Sequence, residues 1–272
     1  MNLENYFISQ FKNKNIGDDG ALIDGFVYSK DAFFENVHFK ISWMSYYQIA
    51  RKAMLINLSD AIAMNAKPKY ALLSVAMPKD ITKIQMKELA QGFLDVAKEY
   101  DMDIIGGDTI SNTKLDITIT IISQTQKPLM RKGLRKNHLL AYTGVLGKSS
   151  KDLKKLFNKG SLHKKSKFVD IKLQQKFIKD STRFLSAGMD ISDGLFSDLD
   201  KLSSVNRIGF RFIKHLSKDI ACSGEEYEML IAFDKRLLKT IQRRASQNRV
   251  KLNIFAKAIR DRYINRCKAH HF

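Results

Sequence analysis

Two adjacent carboxylates between glycines, Ile16-Gly17-Asp18-Asp19-Gly20-Ala21, constrain this chain more than any other stretch. Like charges this close repel and raise each other's pKa unless a cation lies between them. The glycines let the backbone turn tightly and bring a ligand close. Four comparable acidic spots follow: Lys30-Asp31, Leu58-Ser59-Asp60, Gly106-Gly107-Asp108-Thr109 and Asp190-Ile191-Ser192-Asp193-Gly194. Each stands where an apolar run meets a polar residue or a glycine, as at the end of a strand or helix. Taken singly, an Asp beside Gly or Ser is an ordinary turn or N-cap residue. Together, in a chain of net charge +19, the five point to a metal site.

The stretches between them alternate helix and strand patterns. Leu3, Phe7, Ile8 and Phe11 have helical spacing. Residues 25–29 predict a strand delivering Asp31, and residues 33–39 continue extended. His38 there is either a substrate contact or an ordinary half-buried imidazole. Residues 46–64 predict a long helix stopped before Pro68. Asp60 lies inside it behind Asn57 and Ser59, poor helix formers whose presence suggests a task other than packing. A buried strand is expected at 70–76. A helix follows through Met86, Leu89, Phe93, Val96 and Tyr100, then a short strand at 102–105 that ends in Gly106-Gly107-Asp108. Leu115, Ile117, Ile119 and Ile121 alternate with polar residues as in a half-buried strand. Further strands are expected at 139–143, 229–233 and 251–256. Helices are expected after Lys148, through Leu195, Leu199 and Leu202, and at 234–248.

Around residues 128–138 the composition turns to Pro128, Arg131, Lys132, Gly133, Arg135 and Lys136. This divides the 272 residues into two domains, 1–134 and 135–272. Gly147-Lys148-Ser149 is not a Walker A loop, because Tyr142 stands where that motif needs glycine, although the turn could still hold an anion. The excess of basic residues is scattered and not interleaved with aromatics, so a solvated surface is expected and no nucleic-acid partner. Cys222 and Cys267 show neither metal-ligand spacing nor a disulfide framework, which predicts a reducing compartment. No signal peptide or membrane-spanning run is apparent, so a cytoplasmic location and no membrane partner are expected.

In this order the phrases resemble thiamine-monophosphate kinases. They are Ile16 to Ala21, Asp31 to Phe39, Ala53 to Met64, Ile105 to Thr109, Tyr142-Thr143-Gly144, Met189 to Leu195, and Ser223-Gly224-Glu225-Glu226-Tyr227-Glu228. The resemblance implies an α+β chain with the two-domain aminoimidazole ribonucleotide synthetase-like fold. Its N-terminal sheet would pair in a homodimer, as the apolar face of residues 115–121 suggests, and a second α/β domain would follow. It implies direct in-line transfer of the ATP γ-phosphoryl group to thiamine monophosphate, giving thiamine diphosphate and ADP. The implied Mg²⁺ ligands are Asp19, Ser29, Lys30, Asp31, Asp60, Asp108, Asp190 and Asp193. The implied ATP contacts are Tyr100, Gly107, Asp108, Arg131 and Ser192, and the substrate contacts His38 and Glu225. Asp108, Asp193 and Arg131 would carry the catalysis. Scattered Asp residues suit the hard Mg²⁺ ion, and a guanidinium fork suits phosphate.

The chain departs from that family's pattern in five places. Lys30 replaces a threonine, so a metal contact there would fall to its backbone carbonyl. Asn65 replaces a glycine, and Ser223 to Glu226 varies Gly-Gly-Glu-Asp. A His-x-Arg-Pro phrase near residues 165–180 is missing, and that region is shorter. A tyrosine covering the thiamine rings gives way to Ala269 or a near neighbour. Selenophosphate synthetases and hydrogenase-maturation carbamoyl dehydratases share the fold. The first would need an early cysteine and the second a terminal one; here no cysteine precedes Cys222 and the last residue is Phe272.

Overall fold

The computed structural model of the chain describes residues 3–268. After α1 (Leu3–Ser9), the first sheet is built from β1 (Ala21–Ile23), β2 (Phe26–Phe34), β3 (Lys67–Pro78), β4 (Asp103–Asn112) and β5 (Asp116–Gln124). Its order is β1-β2-β5-β3-β4, antiparallel except for the parallel pair β3–β4. A parallel pair needs a crossover, supplied here by α3 (Lys83–Glu99). The axis of the molecule is α2 (Tyr46–Ala63), which touches strands of the first sheet and also reaches the second.

Local chemistry fixes both long helices. Ser45 with Gln48, and Thr82 with Gln85, form capping boxes that satisfy first-turn N–H groups of α2 and α3. Gly92 allows the two helices to close up: a Cβ there would overlap the Tyr47 carbonyl and lie 2.8 Å from the Ala50 Cβ. α2 is buried on every side, and its buried set includes Lys52, Asn57 and Ser59 among apolar neighbours.

Leu115, Ile117, Ile119 and Ile121 are fully buried in one cluster with Ile49, Leu55, Phe93 and Val96. That corrects the basis for dimer pairing, because the apolar face of β5 is already used inside the chain. The opposite face of the sheet is open. It carries Tyr28, Lys30, Thr118 and Thr120, with Lys30 Nζ donating to Thr118 Oγ1 at 3.1 Å.

The second sheet contains β6 (Leu139–Thr143), β7 (Ala187–Ile191), β8 (Gly209–Phe212), β9 (Glu228–Phe233) and β10 (Leu252–Ile259). Its order is β7-β9-β6-β10-β8, antiparallel throughout. Helices cover both faces: α6 (Leu195–Asn206) on one, and α5 (Gln175–Ser181) with α8 (Leu238–Gln247) on the other. Every residue of β9 is buried as a result. Two further helices, α4 (Lys148–Phe157) and α7 (Lys218–Ala221), belong to this half.

Several expectations change. Residues 70–76 lie in a longer strand that is half exposed, with Tyr70 and Leu72 on the open face. The Gly106-Gly107-Asp108 phrase runs inside β4 and does not end it. Gly107 adopts φ +147°, and a Cβ there would overlap the Leu73 backbone, so the close β3–β4 approach itself requires glycine. Cys222 and Cys267 form a disulfide with Cα atoms 5.5 Å apart. Their wide sequence separation hid the pairing, and the cysteine-based inference of a reducing compartment falls with it. Ala269 lies outside the described residues. Among the described residues no helix is long and apolar enough to cross a membrane.

Candidate functional site

Asp19, Asp60 and Asp190 converge although each belongs to a different part of the chain. One carboxylate oxygen from each lies within 4.8 Å of the other two. Asp60 comes from the last turns of α2, Asp190 from β7, and Asp19 from the Gly-Asp-Asp loop before β1. Ser59 Oγ donates to Asp190 Oδ2 at 2.6 Å, joining α2 to the second sheet beside the cluster. On β2, the Asp31 N–H donates to Asn57 Oδ1 at 2.7 Å, and Ser29 Oγ donates to the Asn57 carbonyl at 3.3 Å. The Asn-Leu-Ser-Asp segment inside the helix is therefore explained. Asn57 holds β2 and Ser59 holds β7, while Asp60 enters the cluster.

Arg131 supplies the cluster's cation. Its Nε donates to Asp19 Oδ1 at 3.1 Å, and its Nη2 also pairs with that oxygen. Its backbone N–H donates to Asp18 Oδ1 at 2.9 Å. One guanidinium does not neutralise the site. Burial pushes the Asp31 carboxyl up to about 6, and Asp19 and Asp193 add to the rise. Burial likewise raises Asp18 to about 6. Asp60 is held well above the ordinary carboxylate range by burial, then by Asp31, Asp190 and Asp19. Asp190 rises by burial and the charge of Asp19, with the Ser59 hydrogen bond opposing. Asp19 Oδ2 is buried without a hydrogen-bond partner. Hard carboxylate oxygens, an orphaned acceptor and uncompensated negative charge fit a hard divalent cation.

Beside this centre, Lys201 Nζ donates to Asp193 Oδ2 at 2.5 Å and to the fully buried Asp198 at 3.1 Å. Burial raises Asp198 to about 7 against the pull of Lys201. The 223–228 loop is tied to the same place, since the Glu225 N–H donates to the Ser192 carbonyl at 2.7 Å and the Tyr227 N–H to the Ile191 carbonyl at 2.8 Å. Glu225 adopts φ +54° and its carboxylate accepts from Lys52 Nζ at 2.6 Å. His38 Nδ1 accepts from the Phe34 N–H at 3.0 Å, and its ring lies 5.7 Å from that of Phe33.

The remaining candidates lie apart from the cluster. Lys30 points its side chain to the open sheet face, so only its backbone shares the Asp31 neighbourhood and side-chain ligation is ruled out. Gly107 and Asp108 occupy β4 at the far edge. Asp31 pairs with Ile119, Ile119 with Leu73, and Leu73 with Gly107. Three strand spacings of that kind amount to roughly 14 Å. Tyr100 lines a cavity of about 570 Å³ with Ile62, Lys67 and Lys179, and Ile62 and Asp60 face opposite sides of α2. The anion at the Gly147 turn is internal: the Gly147 and Ser149 N–H groups donate to Glu226 Oε1 at 2.7 and 3.2 Å.

Residue patterns alone missed Lys52, Asp198, Lys201, and the Lys167 bridges to Glu226 and Glu228 at 3.0 and 2.8 Å. Lys52 left a faint signal, as a charge directly abutting the apolar run Ala53-Met54-Leu55-Ile56 beside Arg51.

The chain is similar to known proteins over most of its length. A family model described as AIR synthase related protein, N-terminal domain, matches residues 17–125. The thiamine-monophosphate kinase of Bacillus subtilis (strain 168) is 30% identical over 220 residues, covering 74% of this chain and 67% of the relative. That of Buchnera aphidicola subsp. Schizaphis graminum (strain Sg) is 30% identical over 261 residues, covering 84% and 79%. Among solved structures, AaThiL complexed with AMPPCP and TMP superposes with a TM-score of 0.85 over 96% of this chain and 91% of that one, at 21% identity. That likeness is one of fold.

Proposed function

The chain belongs to the thiamine-monophosphate kinase family, and we propose that it passes the γ-phosphoryl group of ATP directly to thiamine monophosphate. The observation that carries the reading is the meeting of Asp19, Asp60 and Asp190 beside Arg131. A terminal phosphate oxygen of thiamine monophosphate attacks the γ-phosphorus. The bond from that phosphorus to the β–γ bridging oxygen breaks, leaving thiamine diphosphate and ADP. The attacking oxygen is already anionic at neutral pH, so no base is needed to generate it.

Asp19, Asp60 and Asp190 would hold Mg²⁺, with Asp31 and Asp193 as further ligands. Mg²⁺ bound there would neutralise charge on the transferring oxygens. Arg131 pairs with Asp19 and presents its planar fork to a phosphate. Ser192 contacts ATP from the loop that carries Asp193. Glu225, held by Lys52, and His38 contact the acceptor.

We take residues 1–134 and 135–272 as two domains, one per sheet. Homodimerisation rests on the open sheet face and on edge strand β4, almost wholly exposed with Ile105 and Ile110 uncovered. An unprotected edge of that length invites pairing. Asp108, with Gly107 and Tyr100, serves the site that a second copy completes. Use of ATP is consistent with a cytoplasmic enzyme.

The test is purified protein with Mg-ATP and either thiamine monophosphate or free thiamine. Thiamine diphosphate is expected from the first, with free thiamine a poor acceptor because its hydroxyl would need a base. Efficient phosphorylation of thiamine, or no thiamine diphosphate at all, would overturn the assignment.

A further inference from the structure

Lys52 is a charged residue with no exposed surface, placed in the middle of α2. Burying an ammonium is costly unless it is paired and hydrogen-bonded. Its ion pair reaches across the fold to Glu225, 2.6 Å away on the loop before β9. Its other surroundings are aromatic: the Phe168 ring centre lies 3.3 Å from Nζ and that of Phe33 lies 5.6 Å away. Burial lowers the ammonium's pKa while Glu225 opposes the fall.

The arrangement is directional. Positions 52, 59 and 60 fall on one face of an α-helix, seven and eight residues apart. That face meets Asp190 through Ser59 and Glu225 through Lys52, so one helix surface positions both the acidic cluster and the 223–227 loop. Glu225 has left-handed backbone geometry, uncommon for a residue with a Cβ, and its side chain keeps 28% exposure. A strained residue persists when its surroundings over-determine it, and such residues gather at ligand sites. Here Lys52 fixes one carboxylate oxygen from below and the Ser192 carbonyl fixes the backbone. Held in this way, the side chain still keeps part of its surface exposed. Phe168 comes from the segment that lacks the His-x-Arg-Pro phrase, so that shortened stretch contributes a wall of the lysine's cage.

We infer that Lys52 is a positioning residue for acceptor recognition: caged by Phe33 and Phe168, it holds Glu225 in place and pointed at the organic part of the phosphorylated acceptor. The inference rests on the kinase reading above and deepens it. Its chemistry suits an acceptor whose heterocycles offer a positive charge and an exocyclic amine to a carboxylate. The phosphoryl groups, bound at the aspartate cluster, are outside its reach.

Steady-state kinetics of Lys52→Met, Glu225→Gln and the double variant test this. Methionine is apolar and close to lysine in length, so it packs against the same two rings. Lys52→Met should raise KM for thiamine monophosphate by about tenfold with kcat and KM for ATP nearly unchanged, the signature of lost binding shared by ground and transition states. In the Glu225→Gln background the same change should add less than about twofold, because the two side chains act as one unit. If Lys52→Met does not fold, Phe168→Leu carries the test, opening the cage and raising the same KM by about threefold with kcat held. A KM unchanged in the variant that folds, a fall in kcat alone, or fully additive effects would overturn the role of Lys52. Wild-type protein without thiamine monophosphate kinase activity would instead overturn the kinase reading, which keeps the two failures apart.

Discussion

Replacing Asp60 by asparagine gives opposite signs for stability and for activity if the aspartate cluster is a cation site. The Asp60 oxygen lies within 4.8 Å of oxygens of Asp19 and Asp190. At that separation two full charges repel by about 3.5 kcal/mol in an effective dielectric of about 20. Partial protonation reduces this, since Asp60 and Asp190 both titrate well above the ordinary carboxylate range. A relief of about 1–2 kcal/mol in the metal-free protein is the expected remainder. For a chain of this size that raises Tm by roughly 2–8 °C. Activity moves the other way: loss of a ligand to the bridging ion should lower kcat at least about a hundredfold. Thermal melts with and without Mg-ATP, beside one rate measurement, decide the matter, and Mg-ATP should raise Tm less in the variant than in the parent. A destabilised variant with full activity would refute the argument, because that is how a purely structural helix residue behaves.

Three further outcomes follow from the same geometry. Asp31 and Asp18 titrate near 6 in the folded chain and near 3.8 unfolded. Their contribution to stability is therefore present below about pH 4 and lost as pH rises through 6, so metal-free protein should lose Tm over that window, Asp31→Asn should flatten the fall, and Mg²⁺ should oppose it. Cys222→Ser, measured by denaturant titration, should cost up to about 4 kcal/mol, the loop-entropy value for the enclosed segment, with a loss below 0.5 kcal/mol counting against a bridge in solution. Finally, mixing inactive Asp60→Asn and Asp108→Asn proteins after mild dissociation should restore up to about a quarter of wild-type activity if a second copy completes each site; light scattering should give twice 31.2 kDa, and an inactive mixture of intact heterodimers would place Asp108 in its own chain's site.

Much of this architecture could be read from local pattern, and the reasons are physical. The helix 46–63 announced itself by the break at Pro68, and β5 by strict alternation of isoleucines with polar residues. The acidic junctions marked Asp19, Asp60 and Asp190 because repelling carboxylates are seldom kept without a purpose. Partnership across long separations was not legible. Nothing near Lys52 in sequence foretells Glu225, and nothing near Cys222 foretells Cys267. The burial of β5's apolar face was visible as a pattern, but what covers it depends on where α2 and α3 fold. Lys30 shows the limit most simply: its neighbours on β2 turn inward while the pleat sends its own side chain to the opposite face.

The central claim is that Asp19, Asp60 and Asp190 bind the divalent ions that serve phosphoryl transfer. Mn²⁺ titration monitored by electron paramagnetic resonance, on metal-free protein with a non-hydrolysable ATP analogue, tests it most directly. Wild-type protein should bind Mn²⁺ in a form that Mg²⁺ displaces, and Asp60→Asn should lose at least one ion or bind it at least about tenfold more weakly. Equal stoichiometry and affinity in the two proteins would contradict the account.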